Sequence, residues 1–272
     1  AFLAARNTTP SRVFIRPVAL LIIVSTRSIN SLIWALLLIA IIGPGVTIDE
    51  GTVVGPHAVI RGPTRIGRNN RIFQFSSVGD EPQDKKYAGE DTELIIGDNT
   101  TIRELCTFSR GTVQGGGKTI IGNNNWIMAC VHIAHDCILG DNIIMANNAS
   151  LAGHVTVGDW AILSGYSLIH QFCNVGEHSF TSFASHVNQS IPPYVTVSGE
   201  KAKAKGVNTE GLKRRGYTPE QIQQVRRAYK VLYRSGLRLE EARSKLEEMA
   251  RDHSEVRPLV EFLDTTEKSF IR

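Results

Sequence analysis

Cysteine is scarce in this sequence and forms no pattern typical of a metal or disulfide site. The chain contains four cysteines, and no two of them are spaced as in a C-x-x-C pair. Zinc ribbons and small disulfide-rich secreted domains need closely spaced thiols, so both classes are excluded. The repeat described below places Cys137 and Cys173 two coils apart at the same inward position. We interpret the cysteines as small core residues of a protein from a reducing compartment.

Long apolar runs are also missing. The most apolar stretch, residues 32–42, has 11 residues, whereas a membrane-spanning helix needs about 20. Residues 1–41 carry four arginines and no acidic residue, which loosely resembles an export or anchoring segment but lacks a clear cleavage site. We interpret residues 1–41 as a divergent apolar N-terminal segment that begins the repeat in degenerate form, and we expect no stable membrane insertion.

Aromatic residues and surplus charge are both modest, at 7% of the chain and a net +4. Nucleic-acid binding needs a larger basic surplus with aromatic platforms, so we expect no such partner. The charge is uneven, because residues 201–272 hold 17 basic and 11 acidic side chains while residues 1–200 hold 13 and 15. The basic C-terminal part is either a solvated helical face or a docking surface for an acidic partner or phosphates.

What the sequence does contain is a repeat of six residues. An aliphatic residue begins nearly every block, and the fourth residue after it is mostly small or β-branched. This period matches neither a helix nor a flat strand. Two inward positions per block, separated by Gly, Asn and Asp, indicate short strands joined by tight corners. The leading positions are Ile121, Ile127, Ile133, Leu139, Met145, Leu151, Val157, Leu163, Ile169, Val175, Thr181 and Val187.

Hexapeptide repeats of this kind predict a mainly β fold, a parallel β-helix in which each coil buries its apolar face by stacking on its neighbours. Three blocks make one triangular coil. The register is clear from Ile42 and ends near Ile191, so the β-helix is predicted over residues 42–192. Two polar insertions interrupt it, residues 79–93 (the first loop) and the glycine-rich residues 109–119 (the second loop). Insertions in solenoids often form the binding face.

Beyond the repeat, the apolar period becomes helical. Thr218 followed by Pro219 is a helix start signal, and Gly236 is a plausible stop. Two more helices are predicted at about 239–251 and 255–268. Residues 193–272 are therefore interpreted as a small C-terminal helical domain.

Five of the eight histidines fall between residues 132 and 178. Subtracting one coil from His154 gives position 136, and subtracting two coils from His170 gives position 134. Together with His132 and His135, these residues fall within five positions at one corner of the triangle. Stacked coils are about 5 Å apart, so the four side chains are close enough to share one site. His178 falls elsewhere on the coil.

Such a cluster supports two kinds of chemistry. A neutral imidazole is a general base, and Asp136 either orients it or is a turn residue. Clustered histidines also bind zinc, as in the γ-type carbonic anhydrases, β-helix trimers that hold a metal between subunits. The H-x-x-H spacing of His132 and His135 does not exclude this. Because the sequence has no G-x-S-x-G motif, phosphate loop or reactive cysteine context, direct general-base catalysis fits better than a covalent mechanism.

Six stretches resemble one enzyme family: QDKKYAGE, HIAHDC, ANNASLAGHVTVGD, HQFC, NQSIPPYV and VNTEGLKRRG. From about Ile42 to Arg272 the chain resembles the bacterial acyl-[acyl-carrier-protein]:UDP-N-acetylglucosamine O-acyltransferases, which make the first acylated intermediate of lipid A. The resemblance implies a left-handed β-helix and a cytoplasmic homotrimer without metal or cofactor. It also implies acyl carrier protein and UDP-N-acetylglucosamine as partners. The related N-acyltransferase of the same pathway, which accepts an already acylated sugar, is an alternative.

The resemblance also implies residue roles. His135 would be the general base that deprotonates the sugar 3-hydroxyl as it attacks the acyl thioester, supported by Asp136, and the Gly153 backbone N–H would face the oxyanion. Four residues would hold the glucosamine and acyl group: Asp84, Lys86, His132 and His154. Six would bind the nucleotide: His170, Gln171, Asn208, Glu210, Arg214 and Arg215. The basic helical domain would then meet the acidic carrier protein.

Two departures from the family pattern affect the expected site. Ser109 stands where the family commonly has histidine, so one polar contact is expected to differ. Phe183 stands where relatives often have glycine, near the end of the acyl chain. We expect Phe183 to shorten the acyl groove, unless its ring turns outward or packs between subunits.

Overall fold

From Ile41 onward the chain forms a succession of strands that are two to five residues long. The computed structural model describes residues 39–266 and 269–272. Its strands form three sheets, which the chain visits in turn, so they are the three sides of a prism. We call these sides the first, second and third face. Of the predicted N-terminal segment 1–41, residues 1–38 lie outside the described range, and Ile41 already belongs to the first strand.

The faces take every third strand up to the end of the β-helix. The first face contains β1 Ile41–Ile42, β4 Val59–Ile60, β7 Ser77–Asp80, β10 Thr107–Ser109, β13 His132–Ile133, β16 Ser150–Leu151, β19 Leu168–Ile169 and β22 His186–Val187. The second contains β2 Val46–Ile48, β5 Thr64–Ile66, β8 Glu93–Ile96, β11 Lys118–Ile121, β14 Ile138–Leu139, β17 Thr156–Val157 and β20 Asn174–Val175. The third contains β3 Val53–Val54, β6 Arg71–Ile72, β9 Thr101–Ile102, β12 Trp126–Ile127, β15 Ile144–Met145, β18 Ile162–Leu163, β21 Phe180–Thr181, β23 Val195–Ser198 and β24 Lys203–Val207.

Parallel pairing along each face sets the coil length. Most partners are separated by three hexapeptide blocks, as are His132 and Ser150. Two steps along the first face are longer, because Ser77 pairs with Thr107 and Thr107 pairs with His132. The two predicted loops account for the extra length of these two coils. Both leave the solenoid between a first-face and a second-face strand.

That turn, from the first face to the second, we call the first corner. The second corner joins the second and third faces, and the third corner leads back to the first face. Non-glycine residues occupy the left-handed backbone region at each corner, for example Asp136, His154 and Phe172 at the first corner, with φ between 60° and 64°. The left-handed backbone conformation is strained for any residue with a Cβ atom. The repeated stacking of coils therefore holds these corner residues in it. The first corner thus carries both loops and the predicted histidine site.

The hexapeptide leads form the core. All twelve leading side chains from Ile121 to Val187 are buried, and so are the small residues four places after them. This confirms the inward pattern predicted from the sequence. Cys106, Cys137 and Cys173 are buried as predicted, but Cys130 is exposed because it occupies a third-corner position instead of a core position.

Acidic and amide side chains form a ladder along the second corner. The backbone N–H of Asp98 donates to Asn123 Oδ1 at 2.8 Å, that of Asn123 to Asp141 Oδ1 at 2.6 Å, and that of Asp141 to Asp159 Oδ1 at 2.8 Å. Each accepting side chain lies against the glycine of the preceding coil, where a Cβ would overlap it. The recurring Gly-Asp and Gly-Asn pairs of the sequence are therefore the means by which successive corners are joined.

The C-terminal part begins with two strands that the sequence did not predict, β23 and the antiparallel β24. Four helices follow: α1 Thr209–Arg214, α2 Pro219–Arg234, α3 Leu239–Asp252 and α4 Arg257–Thr265. At the start of α2, the Thr218 hydroxyl accepts the Gln221 N–H and the Gln221 side chain accepts the Thr218 N–H. Gly236, with φ 71°, follows the end of the helix. The predicted start and stop of this helix are therefore confirmed. The last helix begins later than predicted because a 3₁₀ turn, Ser254–Val256, precedes it, and it ends at Thr265, where the next residue is extended. Residues 267–268 of the predicted helix lie outside the described range. None of the described helices is long and apolar enough to cross a bilayer.

Truncation of a fully buried lead residue should destabilise the solenoid. Leu163 has no solvent exposure, so Leu163→Ala leaves a cavity and is expected to lower the free energy of unfolding by about 2–5 kcal/mol. Leu239→Ala, at a leucine that is 37% exposed, is the matched control and should cost less than about 1 kcal/mol. Denaturant unfolding measures both, and equal losses would contradict the assignment of the core.

Candidate active site

The first corner brings the predicted catalytic residues together on adjacent coils. The His154 backbone N–H donates to the His135 carbonyl at 3.0 Å, and the two imidazole rings meet edge to face with centroids 5.1 Å apart. The His135 ring lies on Gly153, where a Cβ would come within 2.6 Å of its Cε1. Glycine is therefore required at position 153 for this ring position. The Gly153 N–H is buried and has no acceptor among the described residues.

His135 and Asp136 form a hydrogen-bonded pair. The Nδ1 atom of His135 lies 2.7 Å from Oδ2 of Asp136, whose side chain is 1% exposed. An ionised carboxylate only accepts hydrogen bonds, so Nδ1 carries the proton and Nε2 keeps its lone pair. Adjacency in sequence alone could not establish this contact. The arrangement is that of an oriented general base.

The second loop supplies two further hydrogen bonds that sequence analysis missed. Thr112 donates its backbone N–H to Asp136 Oδ1 at 2.7 Å and its hydroxyl to Asp136 Oδ2 at 2.6 Å. The Asp136 N–H in turn donates to the Thr119 hydroxyl at 2.8 Å. The glycine-rich second loop is not irregular throughout. Instead, its ends belong to β10 and β11, and a 3₁₀ turn, Val113–Gly115, lies between them.

The two flanking histidines are held neutral by burial. Burial lowers the pKa of His132, whose Nδ1 atom is 2.8 Å from the Thr107 hydroxyl. Burial also lowers the pKa of His154, and the charge of Asp136 partly opposes this. The His154 ring stacks on Phe172 with centroids 4.4 Å apart. At neutral pH both side chains therefore offer hydrogen bonds without a positive charge.

The first loop reaches the same corner. The Lys86 backbone N–H donates to Asp84 Oδ1 at 3.0 Å, and the charge of Asp84 acts on the pKa of His154. Arg110 of the second loop is buried and donates to the Gly79 carbonyl at 2.8 Å and to the Tyr87 hydroxyl at 2.9 Å. Arg110 thus ties the two loops together. No motif in the sequence pointed to it.

His170 and Gln171 occupy the same corner one coil beyond His154, and the coil spacing predicted this position for His170. The His170 Nδ1 atom is 3.2 Å from the Gln171 carbonyl oxygen. The next residue, Phe172, donates its N–H to the Gly153 carbonyl at 3.2 Å. The corner therefore stacks these residues directly on the coil that contains Gly153.

The other four nucleotide candidates lie elsewhere in this chain. They line a cavity of about 650 Å³ beside the third face, next to Ile162 and Phe180: Asn208, Glu210, Arg214 and Arg215. Arg215 lies over the Trp160 ring at the second corner, 4.1 Å from its centroid. One chain thus does not bring them to His135. Hexapeptide spacing could not reveal this, because these residues follow the repeat.

Two of those four side chains already have partners within the chain. Asn208 Oδ1 accepts the Gly211 N–H at 3.1 Å to cap α1, and Asn208 Nδ2 donates to the His178 carbonyl at 2.9 Å. Glu210 pairs with Lys213 at 2.8 Å on the surface. His178 itself lies at the second corner, away from the histidine cluster as predicted, between the rings of Trp160 and Tyr194. Burial and the Arg215 charge lower the pKa of His178 to about 4.

The two departures from the family pattern have different surroundings. Ser109 is buried at the end of β10, where it is the first residue of the second loop. Phe183 lies at the third corner and is 69% exposed, and its ring meets that of Tyr166 with centroids 5.6 Å apart. It therefore presents a large apolar surface outside the core of this chain.

Three side chains are close enough to share a metal ion. Ligand atoms of His135, Asp136 and His154 lie within 4.8 Å of one another. His132, which the H-x-x-H spacing joined to His135, is not part of this group. A cation there would compete with His135 and Thr112 for the carboxylate oxygens of Asp136. These contacts fit a hydrogen-bonded base better than a metal centre.

The helical domain carries a basic groove made of two adjoining cavities of about 470 and 630 Å³. None of the described residues that line it is acidic. The basic residues along it are Lys201, Lys203, Lys205, Arg226, Arg227, Lys230, Arg234 and Arg272. The C-terminal charge surplus is therefore concentrated on one surface, which we call the basic groove.

Two family models match the chain. Residues 191–271 match domain 2 of UDP N-acetylglucosamine O-acyltransferase, and residues 118–153 match the bacterial transferase hexapeptide model of six repeats. Similar curated proteins carry the name acyl-[acyl-carrier-protein]–UDP-N-acetylglucosamine O-acyltransferase. That of Thiobacillus denitrificans is 56% identical over 86% of this chain and 97% of the relative. That of Herminiimonas arsenicoxydans is 53% identical with the same coverage.

Solved structures agree with the sequence relatives. The UDP-N-acetylglucosamine acyltransferase of Francisella novicida has a TM-score of 0.84 at 44% identity, covering 86% of each chain. The UDP-N-acetylglucosamine O-acyltransferase of Moraxella catarrhalis has a TM-score of 0.80 at 37% identity, covering 86% of this chain and 98% of its own. The predicted left-handed β-helix with a small helical domain is thereby confirmed. The chain belongs to the acyl-[acyl-carrier-protein]–UDP-N-acetylglucosamine O-acyltransferase family.

Proposed function

We propose that this enzyme transfers a 3-hydroxyacyl group from acyl carrier protein to the 3-hydroxyl of UDP-N-acetylglucosamine, the first step of lipid A formation. The observation that carries the mechanism is the His135–Asp136 pair, 2.7 Å apart, with Nε2 of His135 left as the acceptor. The names of the relatives supply the substrates. The same names leave the carbonic-anhydrase-like and N-acyltransferase alternatives without support.

The reaction is a direct acyl transfer. Nε2 of His135 removes the proton of the sugar 3-hydroxyl while its oxygen attacks the thioester carbonyl, and Asp136 stabilises the imidazolium. The Gly153 N–H faces the oxyanion of the tetrahedral intermediate, a contact that can contribute about 3–4 kcal/mol when pre-aligned. Collapse breaks the carbon–sulfur bond, and the leaving thiolate takes the proton from His135. The substrates and these residues account for every proton and bond in the reaction.

Substrate positioning falls to the residues around the base. The neutral His132 and His154 hydrogen-bond the glucosamine and the acyl group, and Asp84 and Lys86 close over them from the first loop. Their support is the shared first corner and the electrostatic contact of Asp84 with His154. His170 and Gln171 continue the corner toward the nucleotide.

A homotrimer would complete the site. The arginines suited to the diphosphate, Arg214 and Arg215, lie beside the third face of the same chain, away from His135. Packing three prisms side by side would bring the third face of one copy to the first corner of the next. Exposed apolar side chains support such packing. Trp126 is 44% exposed, Ile138 49% and Phe172 53%.

With nucleotide sugar and carrier protein as substrates, we propose that the enzyme acts in the cytoplasm.

Replacement of the base should abolish transfer without unfolding the protein. His135→Ala is expected to lower kcat about 10²–10⁴-fold, because the 3-hydroxyl loses its proton acceptor. The assay uses 3-hydroxyacyl carrier protein and UDP-N-acetylglucosamine, with bound metal measured alongside. His57→Ala, at a histidine stacked on Phe75 several coils away, is the control. Full activity in His135→Ala, or stoichiometric zinc with loss of activity in chelator, would refute the general-base mechanism.

We propose the basic groove as the docking surface for the acidic carrier protein. The double change Arg226→Glu and Arg227→Glu should raise KM for the acyl carrier protein about tenfold or more at low salt, because electrostatic steering is lost. Turnover of an acyl-phosphopantetheine donor that lacks the protein should not change. The matched control reverses two exposed charges on α3, Lys245→Glu and Arg251→Glu. An equal effect of both pairs would rule out the groove.

Phe183 is proposed to set the acyl chain length. Its ring is exposed at the third corner, where a second copy packed alongside would cover it and bring it against the acyl chain. Phe183→Gly should therefore shift preference toward longer 3-hydroxyacyl donors, measured as kcat/KM across purified donors of graded length. Phe75→Gly, at an exposed phenylalanine of the same corner several coils earlier, is the control. An unchanged ranking of donors would remove Phe183 from this role.

A further inference from the structure

The Asp136 carboxylate is enclosed by the second loop on the side away from His135. Thr112 is buried and directs both of its donors to this carboxylate, the N–H to Oδ1 at 2.7 Å and the hydroxyl to Oδ2 at 2.6 Å. Oδ2 is also the oxygen that faces His135 Nδ1 at 2.7 Å. Gly115 follows so closely that a Cβ there would overlap the carboxylate. One carboxylate oxygen is thus shared by the threonine hydroxyl and the imidazole.

Thr112 is itself fixed by the loop. Its hydroxyl accepts the Gly115 N–H at 3.2 Å, and its carbonyl accepts the Gly117 N–H at 2.8 Å. Near the start of the loop, Arg110 donates from its buried guanidinium to the Gly62 and Gly79 carbonyls at 3.0 and 2.8 Å. Because every donor and acceptor of Thr112 has a partner, its direction toward Asp136 is set before any substrate binds.

We propose that Thr112 is a positioning residue of the transfer reaction, which orients Asp136 and moderates its hold on the His135 proton. This inference rests on the proposed function. Two donors on one carboxylate stop its rotation, so Oδ2 stays in line with the imidazole. Hydrogen bonds to an ionised acceptor are short and strong. The hydroxyl therefore draws negative charge from the oxygen that His135 uses.

The consequence concerns the protonation of the base. If the hydroxyl is removed, Oδ2 keeps more of its charge and holds an imidazolium at His135 more firmly, so the free base is lost at a higher pH. The other titratable groups around His135 are His132 on the preceding strand and His154 on the next coil, with Asp84 acting on His154. None of them contacts Thr112 directly. His154 Nε2 lies 3.7 Å from the same Oδ2, so loss of the hydroxyl should raise the pKa of His154 as well and move the acid limb in the same direction.

The test compares Thr112→Val with Thr112→Ser and with Thr100→Val. Valine keeps the shape and the backbone N–H of position 112 but lacks the hydroxyl, which serine restores. Thr100 is the matched control, because it is fully buried and its hydroxyl also accepts a backbone N–H at 3.2 Å, from Asn125. Each variant is assayed for kcat and KM across the acid and alkaline limbs of the pH–rate profile with one acyl donor, and its melting temperature is recorded.

Thr112→Val is expected to lower kcat about tenfold, because loss of a residue that orients a functional side chain commonly costs about 10- to 100-fold in activity. KM for the nucleotide sugar should change little. The acid limb of its pH–rate profile should move to higher pH. Thr112→Ser should restore both, and Thr100→Val should leave both unaltered. In a His135→Ala background, adding Thr112→Val should have no further effect on the residual rate, because Thr112 acts through His135.

An unshifted acid limb, failure of serine to restore kcat, or an equal further loss in the His135→Ala background would each overturn the inference. A merely structural threonine predicts those results. If Thr112→Val does not fold at the assay temperature, Thr112→Ala provides the same comparison. Together, the two variants distinguish a failure of the Thr112 role from a failure of the proposed mechanism. An inactive His135→Ala with a fully active Thr112→Val removes only the role of Thr112, whereas an active His135→Ala removes the proposed mechanism itself.

Discussion

Backbone hydrogen bonding between stacked coils is the constraint on which the rest of the structure depends. Each two-residue strand is too short to be stable alone and pairs in parallel with the strands one coil before and after it, as β13 does with β10 and β16. Residues one coil apart are therefore neighbours at about 4.8 Å. A functional cluster can then be assembled from one corner of several coils, without any residue leaving the repeat. His135, Gly153 and His154 are such a cluster.

The two inserted loops leave the stacking of the coils unchanged. The two loops lengthen two successive coils, yet the strands after each loop return to the same three faces and the same inward positions. Both loops leave at the first corner, on the two coils that precede His135. They therefore surround His135 from one side, where Arg110 joins the two loops to each other and Thr112 joins the second loop to Asp136. The solenoid places the imidazole, and the loops determine its surroundings.

The sequence predicts the parts of the site that belong to the repeat, and it does not predict the parts that belong to the loops or the helical domain. Folding positions back by whole coils placed the histidines of the first corner together and separated His178 from them, because only the repeat was involved. The contacts of Arg110 and Thr112 could not be found in this way, since loop residues have no repeat position. The same holds for Arg214 and Arg215, which follow the last coil. Their place beside the third face depends on how α1 packs, and no period encodes that.

The helical domain is attached through the second corner, and this explains why the nucleotide candidates lie apart from His135. Asn208 caps α1 and bonds to the His178 carbonyl, while Arg215 lies over Trp160 one coil earlier. These contacts fix the nucleotide candidates to the corner opposite the first face. Within one prism, the side chains proposed for phosphate binding and for proton removal therefore face different directions. Because the stacked coils hold the two sets apart in one chain, the proposed trimer is what would bring them together, with a second copy lying alongside the first.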